Sequence, residues 1–200
     1  MAPSSAKLFT SQKQKYLEGL AKTEKDRSKK GDVDDAIRPL LDAINACAEY
    51  YTTSSCAGRI DLFVEPASGK KHEGQWLYVS HDEADEDEVR KALTSLPEDA
   101  SGTVWFRMEG AILHVCAANL DAADQFLKQC KAAGWKHSGV TGTSPRIMIE
   151  ATTSERIDVP VAKDDSLFVP EKFIAYLMKE ANRKLERTRK KIKRLEKTFL

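Results

Sequence analysis

The chain reads as a mixed α/β protein of α+β organisation, with one mixed sheet of about six strands and helices packed on it. Three observations predict this. Apolar residues recur at helical spacing in five segments, with period-two alternation between them. After residue 54 the order strand–strand–helix runs three times. No G-x-G-x-x-G follows a strand and long parallel βαβ spacing is missing, which argues against a doubly wound fold.

A first helix is predicted from about Phe9 to Lys30, with Tyr16, Leu17, Leu20 and Ala21 on one side and Gly31 as its stop. Asp32, Asp34 and Asp35 supply an acidic first turn for a second helix carrying Val33, Ile37, Leu40, Leu41, Ile44, Cys47 and Ala48. Pro39 predicts either a kink in that helix or a turn with the helix starting at Pro39. The first strand pair is Ile60–Val64 with Gln75–Val79, and an acidic run of six carboxylates in residues 82–88 leads into a helix through Val89, Leu93 and Leu96. A second pair, Thr103–Met108 with Ala111–Cys116, turns at Glu109-Gly110. A helix from Leu120 to Ala133 ends at Gly134. A third pair, Arg146–Ala151 with Arg156–Val161, precedes a helix from Pro170 to the end, striped by Ile174, Leu177, Met178, Ala181, Leu185, Thr188, Ile192 and Leu195.

The chain has 200 residues, 41% of them hydrophobic, enough for a core, and 32 Lys+Arg against 31 Asp+Glu leave a net charge of +1. Any nucleic-acid surface must therefore come from where the charges sit. Residues 182–200 hold nine Lys/Arg against two Glu, and residues 13–30 hold seven against three, so the last and first helices are the basic elements. No stretch approaches the roughly 18–20 apolar residues of a membrane span, and the N-terminus lacks a secretory h-region. Four scattered cysteines make no disulfide scaffold. The expectation is a cytoplasmic, single-domain protein over residues 1–200 with no membrane partner. His72, His81, His114 and His137 form no H-x-x-x-H and no cysteines form C-x-x-C, so no metal is expected, the alternative being a spatial cluster of His81, Cys56 and an aspartate.

The sharpest local feature is Thr52-Thr53-Ser54-Ser55-Cys56-Ala57-Gly58-Arg59, read as a loop where a helix hands over to a strand. Its hydroxyls and N–H groups can ring a polar ligand, Gly58 lets backbone come close, and Arg59 offers a two-pronged donor. The bland alternative is a Ser/Thr-rich loop with a buried thiol and a surface arginine. His81 follows Ser80 at a strand's C-terminal end, where site residues often emerge. His114 shares a strand face with Ile112 and Cys116 and reads as a core histidine. Asp26 opposes its helix dipole, which makes it a better site candidate than the surface-favoured Asp34 and Asp35. Trp76, Tyr78, Trp105 and Trp135 read as core, and none is nominated as a stacking platform.

Thr52-x-Ser54-Ser55-Cys56-x-Gly58-Arg59 resembles the (S/T)-x-S-S-C-x-G-R signature of the tRNA wybutosine-synthesising protein 3 family of methyltransferases, called Taw3 in archaea. Further landmarks fall in the family's order. They are Asp26-x-Ser28-x-Lys30-Gly31 with Asp34, Trp76…Ser80-His81, Ile112-Leu113-His114-Val115, Ser138-Gly139 and Ala181-Asn182-x-x-Leu185. The resemblance spans about Lys13 to Leu195. It implies S-adenosyl-L-methionine (SAM)-dependent methylation of the N4 nitrogen of the tricyclic wyosine-type base beside the anticodon of tRNA(Phe), without a Rossmann methyltransferase core. The alternatives are a non-catalytic tRNA-binding relative, or a methyltransferase for a different tRNA base.

Carried over by position, the resemblance implies Asp26, Ser54, Ser55, Cys56 and His81 as catalytic residues, with His114 the fallback histidine. Thr52, Ser54, Ser55, Gly58 and Arg59 are implied at the cofactor. A sulfonium methyl is already activated, so placement of the acceptor nitrogen is the main requirement, with a base for its proton. His81 is cast as that base and Asp26 as its orienter or as a holder of the cofactor's amino group.

Overall fold

The computed structural model describes residues 5–21, 33–68, 73–95, 102–163 and 166–200. In chain order the elements are α1 (Ser5–Ala21), α2 (Arg38–Ala46), β1 (Tyr50–Cys56), β2 (Arg59–Pro66), β3 (Gln75–Ser80), α3 (Glu86–Thr94), β4 (Gly102–Glu109), β5 (Ile112–Ala117), α4 (Leu120–Ala133), β6 (His137–Gly142), β7 (Ile147–Thr152), β8 (Arg156–Lys163), β9 (Ser166–Leu167) and α5 (Glu171–Glu196). They group into two compact units, and the chain passes between them at Ala57/Gly58, Gly110/Ala111, Ser154/Glu155 and Thr188/Arg189.

The first unit holds an antiparallel sheet in the order β1-β5-β7-β6. One face is apolar: Leu113 and Val115 of β5 and Ile149 and Ala151 of β7 pack against Leu40 and Ile44 of α2, Phe126 and Cys130 of α4, and Ile192 and Leu195 of α5. Pro39 sits in the first turn of α2 after a short turn, so the proline starts the helix rather than kinking it. Gly134 closes α4 in the left-handed conformation at φ 89°, and Asn119 caps its start by accepting from Ala122 N. On the opposite face α1 packs on β1 through Phe9 and Tyr16, each with its ring centroid 5.2 Å from that of buried Tyr51.

The second unit holds an antiparallel sheet in the order β3-β2-β4-β8-β9. Strand β4 alternates strictly, with Val104, Phe106 and Met108 buried and Trp105, Arg107 and Glu109 turned outward. The inward row joins Ile60, Leu62 and Val64 of β2, Val89 and Leu93 of α3, and Ile174, Leu177, Met178, Ala181 and Leu185 of α5. All eight stripe residues predicted for the last helix are buried.

The α+β organisation and the lack of a doubly wound core stand. The single mixed sheet of about six strands does not, since the strands form two antiparallel sheets of four and five. The reason lies in pairing. The segments read as hairpins at Glu109-Gly110 and across 152–155 are not hairpins: β4 pairs with β2 and β8, while β5 pairs with β1 and β7. Adjacency in the chain suggested the hairpins, but each strand joins the sheet in which its apolar row is buried. Residues 52–56, read as a loop, complete β1, because their backbone pairs with β5 whatever their side chains bury. No helix among the described residues is long and apolar enough to cross a membrane.

Candidate functional site

The hydroxyl-rich half of the signature lies on β1. Thr52 faces the core side, 2% exposed, and Asn45 at the end of α2 clamps it. Asn45 Nδ2 donates to Thr52 Oγ1 at 2.9 Å and Asn45 Oδ1 accepts from Thr52 N at 2.8 Å. A β-bulge follows: Thr52 pairs with Val115 but Ser54 with His114, leaving Thr53 as the extra residue. The bulge reverses the alternation. Ser54 therefore emerges on the face opposite Thr52, exposed and directly across from His114.

There a polar row crosses the sheet. Ser54 Oγ lies 2.8 Å from His114 Nδ1, and His114 Nε2 lies 3.1 Å from Glu150 Oε2. The register pairs His114 with Glu150 and Glu150 with Gly139. His114 is thus not a core histidine; its side chain is 31% exposed and held at both ring nitrogens. At the end of β1, Ala57 N donates to Asp34 Oδ2 at 2.8 Å, and Ala57 O accepts from Arg189 Nη1 at 2.5 Å. A carboxylate oxygen of Asp34 and Cys56 Sγ lie within 4.8 Å of one another. Asp34, read as a surface residue, therefore stands against the signature strand. Cys56 and Cys47 are half-buried, Cys116 and Cys130 buried, and all four are free thiols.

The other half of the signature opens the second unit. Gly58 has φ +95°, and a Cβ there would meet Glu109 O at 2.9 Å, so the glycine serves a close backbone approach within the fold. Arg59 Nη2 pairs with Glu109 Oε2 at 2.6 Å, Arg59 Nε faces Asp61 Oδ2 at 3.4 Å, and the guanidinium lies 4.5 Å from the Trp76 ring centroid. Asp61 is fully buried and also accepts from Arg107 Nε at 2.9 Å. Burial pushes its carboxyl up from 3.8 to about 6, against the pull of Arg107 and Arg59, so it is ionised at neutral pH. Arg107 lies over Phe63 at 4.4 Å and Trp76 at 5.1 Å. Trp76 and Trp105 are therefore on the outward face of this sheet rather than in the core, whereas Trp135 is buried in the first unit. A cavity of about 290 Å³ on that face is lined by Phe63, Glu65, Trp105, Arg107, Arg156 and Asp158.

His81 follows β3, where the chain bends into the acidic run. That run is a helix start: Asp85 accepts from Glu88 N at 2.9 Å as N-cap of α3, with Glu86, Asp87 and Glu88 in the first turn. Asn182 of α5 fixes the segment by accepting from Ala84 N at 2.8 Å and donating to Ala84 O at 3.4 Å. This accounts for the Ala181-Asn182-x-x-Leu185 landmark. Asp26, Ser28, Lys30 and Gly31 lie outside the described residues.

On the first helix, Lys13 does not face solvent phosphates. Its Nζ donates to Cys47 O and burial lowers its pKa below the ordinary lysine value. On α5, Arg183, Arg187, Lys190, Arg194 and Lys197 at the helix end are exposed at alternating four- and three-residue steps, a continuous basic stripe. Asn45 and Glu150 are the residues that sequence reading passed over, and Asp34 is the one it placed at the surface. Asp34 and Glu150 act across elements distant in the chain, whereas Asn45 at the end of α2 acts on the strand that follows it, and no motif spacing marks any of them.

A family profile described as Methyltransferase TYW3 matches residues 11–200. A relative from Thermococcus sibiricus, 37% identical over 191 residues covering 95% of this chain and 93% of its own, is named tRNA(Phe) 7-((3-amino-3-carboxypropyl)-4-demethylwyosine(37)-N(4))-methyltransferase. A Schizosaccharomyces pombe relative, 34% identical over 86% of this chain and 75% of its own, is named tRNA wybutosine-synthesizing protein 3. Among solved structures, the PH1069 protein of Pyrococcus horikoshii superposes with a TM-score of 0.87 at 33% identity, covering 98% of this chain and 97% of that one.

Proposed function

Because the chain belongs to the methyltransferase TYW3 family, we propose that it methylates the N4 nitrogen of the wyosine-type base at position 37 of tRNA(Phe), with S-adenosylmethionine as methyl donor. The observation that carries this reading is the match over nearly the whole chain to relatives named for that reaction. It is supported by a signature strand whose Ser54 is exposed and whose Cys56 lies beside the Asp34 carboxylate. The donor set suits the cofactor. Ser54 and Cys56, two residues apart on one face of β1, can meet a polar ligand from that side, and a carboxylate favours a neighbouring sulfonium charge. When bound, the cofactor supplies an activated methyl group.

The protein's own task is then to hold the acceptor nitrogen in line and take its proton. Ser54, Ser55 and Cys56 are the residues we assign to the reacting groups, with Asp26 and His81 retained as catalytic candidates. Thr52, Gly58 and Arg59 serve the cofactor by shaping the strand and its exit, since each is engaged by the fold itself. The exposed stripe of α5 is the proposed contact for tRNA phosphates, and the workplace is the cytoplasm. The test is transfer of labelled methyl from S-adenosylmethionine to tRNA(Phe) that carries the demethylated precursor base. Label in that tRNA, and none in tRNA with an unmodified guanosine at position 37, is the expected result. No label in either would overturn the reading.

A further inference from the structure

The signature and its relatives do not say where the proton of the acceptor nitrogen goes. We propose that the row Ser54–His114–Glu150 on the four-stranded sheet is the proton relay of the methyl transfer, with Ser54 the group that meets the substrate and Glu150 the positioning residue. The proposal rests on the methyltransferase reading above.

The geometry defines the direction of the relay. A carboxylate only accepts, so Glu150 at 3.1 Å assigns the hydrogen to His114 Nε2. In the neutral imidazole Nδ1 is then a lone pair, and the Ser54 hydroxyl at 2.8 Å donates to it. With its one hydrogen committed to His114, Ser54 Oγ offers only lone pairs outward, the form suited to accept from a substrate N–H. Ser54 is in this position because of the bulge at Thr53. In regular alternation it would share the core-side face of Thr52.

The step balances. As the nitrogen–methyl bond forms, the sulfur–methyl bond breaks and its electron pair stays on sulfur, giving a neutral thioether. The nitrogen keeps the electrons of its N–H bond. Its proton passes to Ser54 Oγ while the Ser54 proton passes to His114 Nδ1. One positive charge, brought in on the sulfonium, ends on the imidazolium, where the Glu150 carboxylate holds it.

The test uses the full-length protein, precursor-bearing tRNA(Phe) and S-adenosylmethionine, read alongside ¹⁵N NMR of His114. In the protein alone the Nε2–H tautomer is expected, and Glu150→Gln is expected to weaken that preference, a change that a purely structural role would not require. In single-turnover assays His114→Gln is expected to slow methyl transfer by about 10²-fold or more, the usual scale of general-base loss. Glu150→Gln should fall between it and wild type, and Glu150→Asp should recover part of the loss. All variants should keep the wild-type Tm and bind S-adenosylmethionine as wild type does. An Nδ1–H tautomer, or wild-type transfer rates in His114→Gln, would overturn the relay while leaving the methyltransferase reading intact. An inactive wild-type protein would instead overturn that parent reading.

Discussion

Gly58 and Gly139 make opposite predictions from the same residue type. At Gly58 the left-handed φ of +95° resists a side chain, and so does the Glu109 carbonyl, 2.9 Å from where a Cβ would stand. Gly58→Ala is expected to cost about 1–3 kcal/mol of unfolding free energy. At Gly139 nothing lies within 4 Å of a Cβ, so Gly139→Ala should stay within about 0.5 kcal/mol of wild type in chemical denaturation. Asp61 carries a pH dependence. Its carboxyl titrates at about 6 in the fold against 3.8 ordinarily, chiefly through burial. Between those values the folded state holds a proton that the unfolded chain has released, so this group makes stability fall as pH rises from about 4 to about 6. Comparing wild type with Asp61→Asn across that window should show the falling component, at most about 1.4 kcal/mol per pH unit, missing from the variant.

Among the elements, β1 shows how a strand poor in apolar side chains is kept in place. Its backbone is paired with β5, and Asn45 supplies both a donor and an acceptor to buried Thr52 just before the bulge. Asn45→Ala leaves the Thr52 N–H and hydroxyl without that partner, an expected loss of about 1–3 kcal/mol in thermal or urea unfolding. Because the clamp sits beside the bulge that aims Ser54, the same variant should lower methyl transfer more than an equally destabilising change in α4. Asn119→Ala, which removes the α4 N-cap at a cost of about 1 kcal/mol, is the control. Helix α5 shows the complementary economy, with one face buried along its whole stripe and the other exposing arginine and lysine.

For the whole molecule, a net charge of +1 means that tRNA attraction depends on where the cations are concentrated. Replacing Arg187, Arg194 and Lys197 with glutamate should weaken tRNA binding. It should also flatten the dependence of log affinity on log salt by up to about 0.7–0.9 per lost phosphate contact. A salt slope equal to wild type would remove this stripe from the interface. Substitution of Lys7 and Lys15, exposed on α1, offers the comparison for the first helix, whose Lys13 is turned inward to Cys47.

Short-range pattern determined much of this protein. The helical stripe of α5, the end of α4 at Gly134 and the existence of β2 and β4 each follow from spacing within a few residues, so sequence alone revealed them, while at Pro39 it left a kink and a helix start both open. The signature from Thr52 to Arg59 also showed the chemistry available to the site. Which strands pair was decided only in three dimensions, because β4 and β5, neighbours in the chain, bury their apolar rows in different cores. The same holds for the site's support. Asp34 reaches Ala57 across 23 residues, Glu150 reaches His114 across 36, and one extra residue at Thr53 turns Ser54 onto the face of His114. Such partners are chosen by long-range burial and hydrogen-bond satisfaction, for which local spacing carries no record.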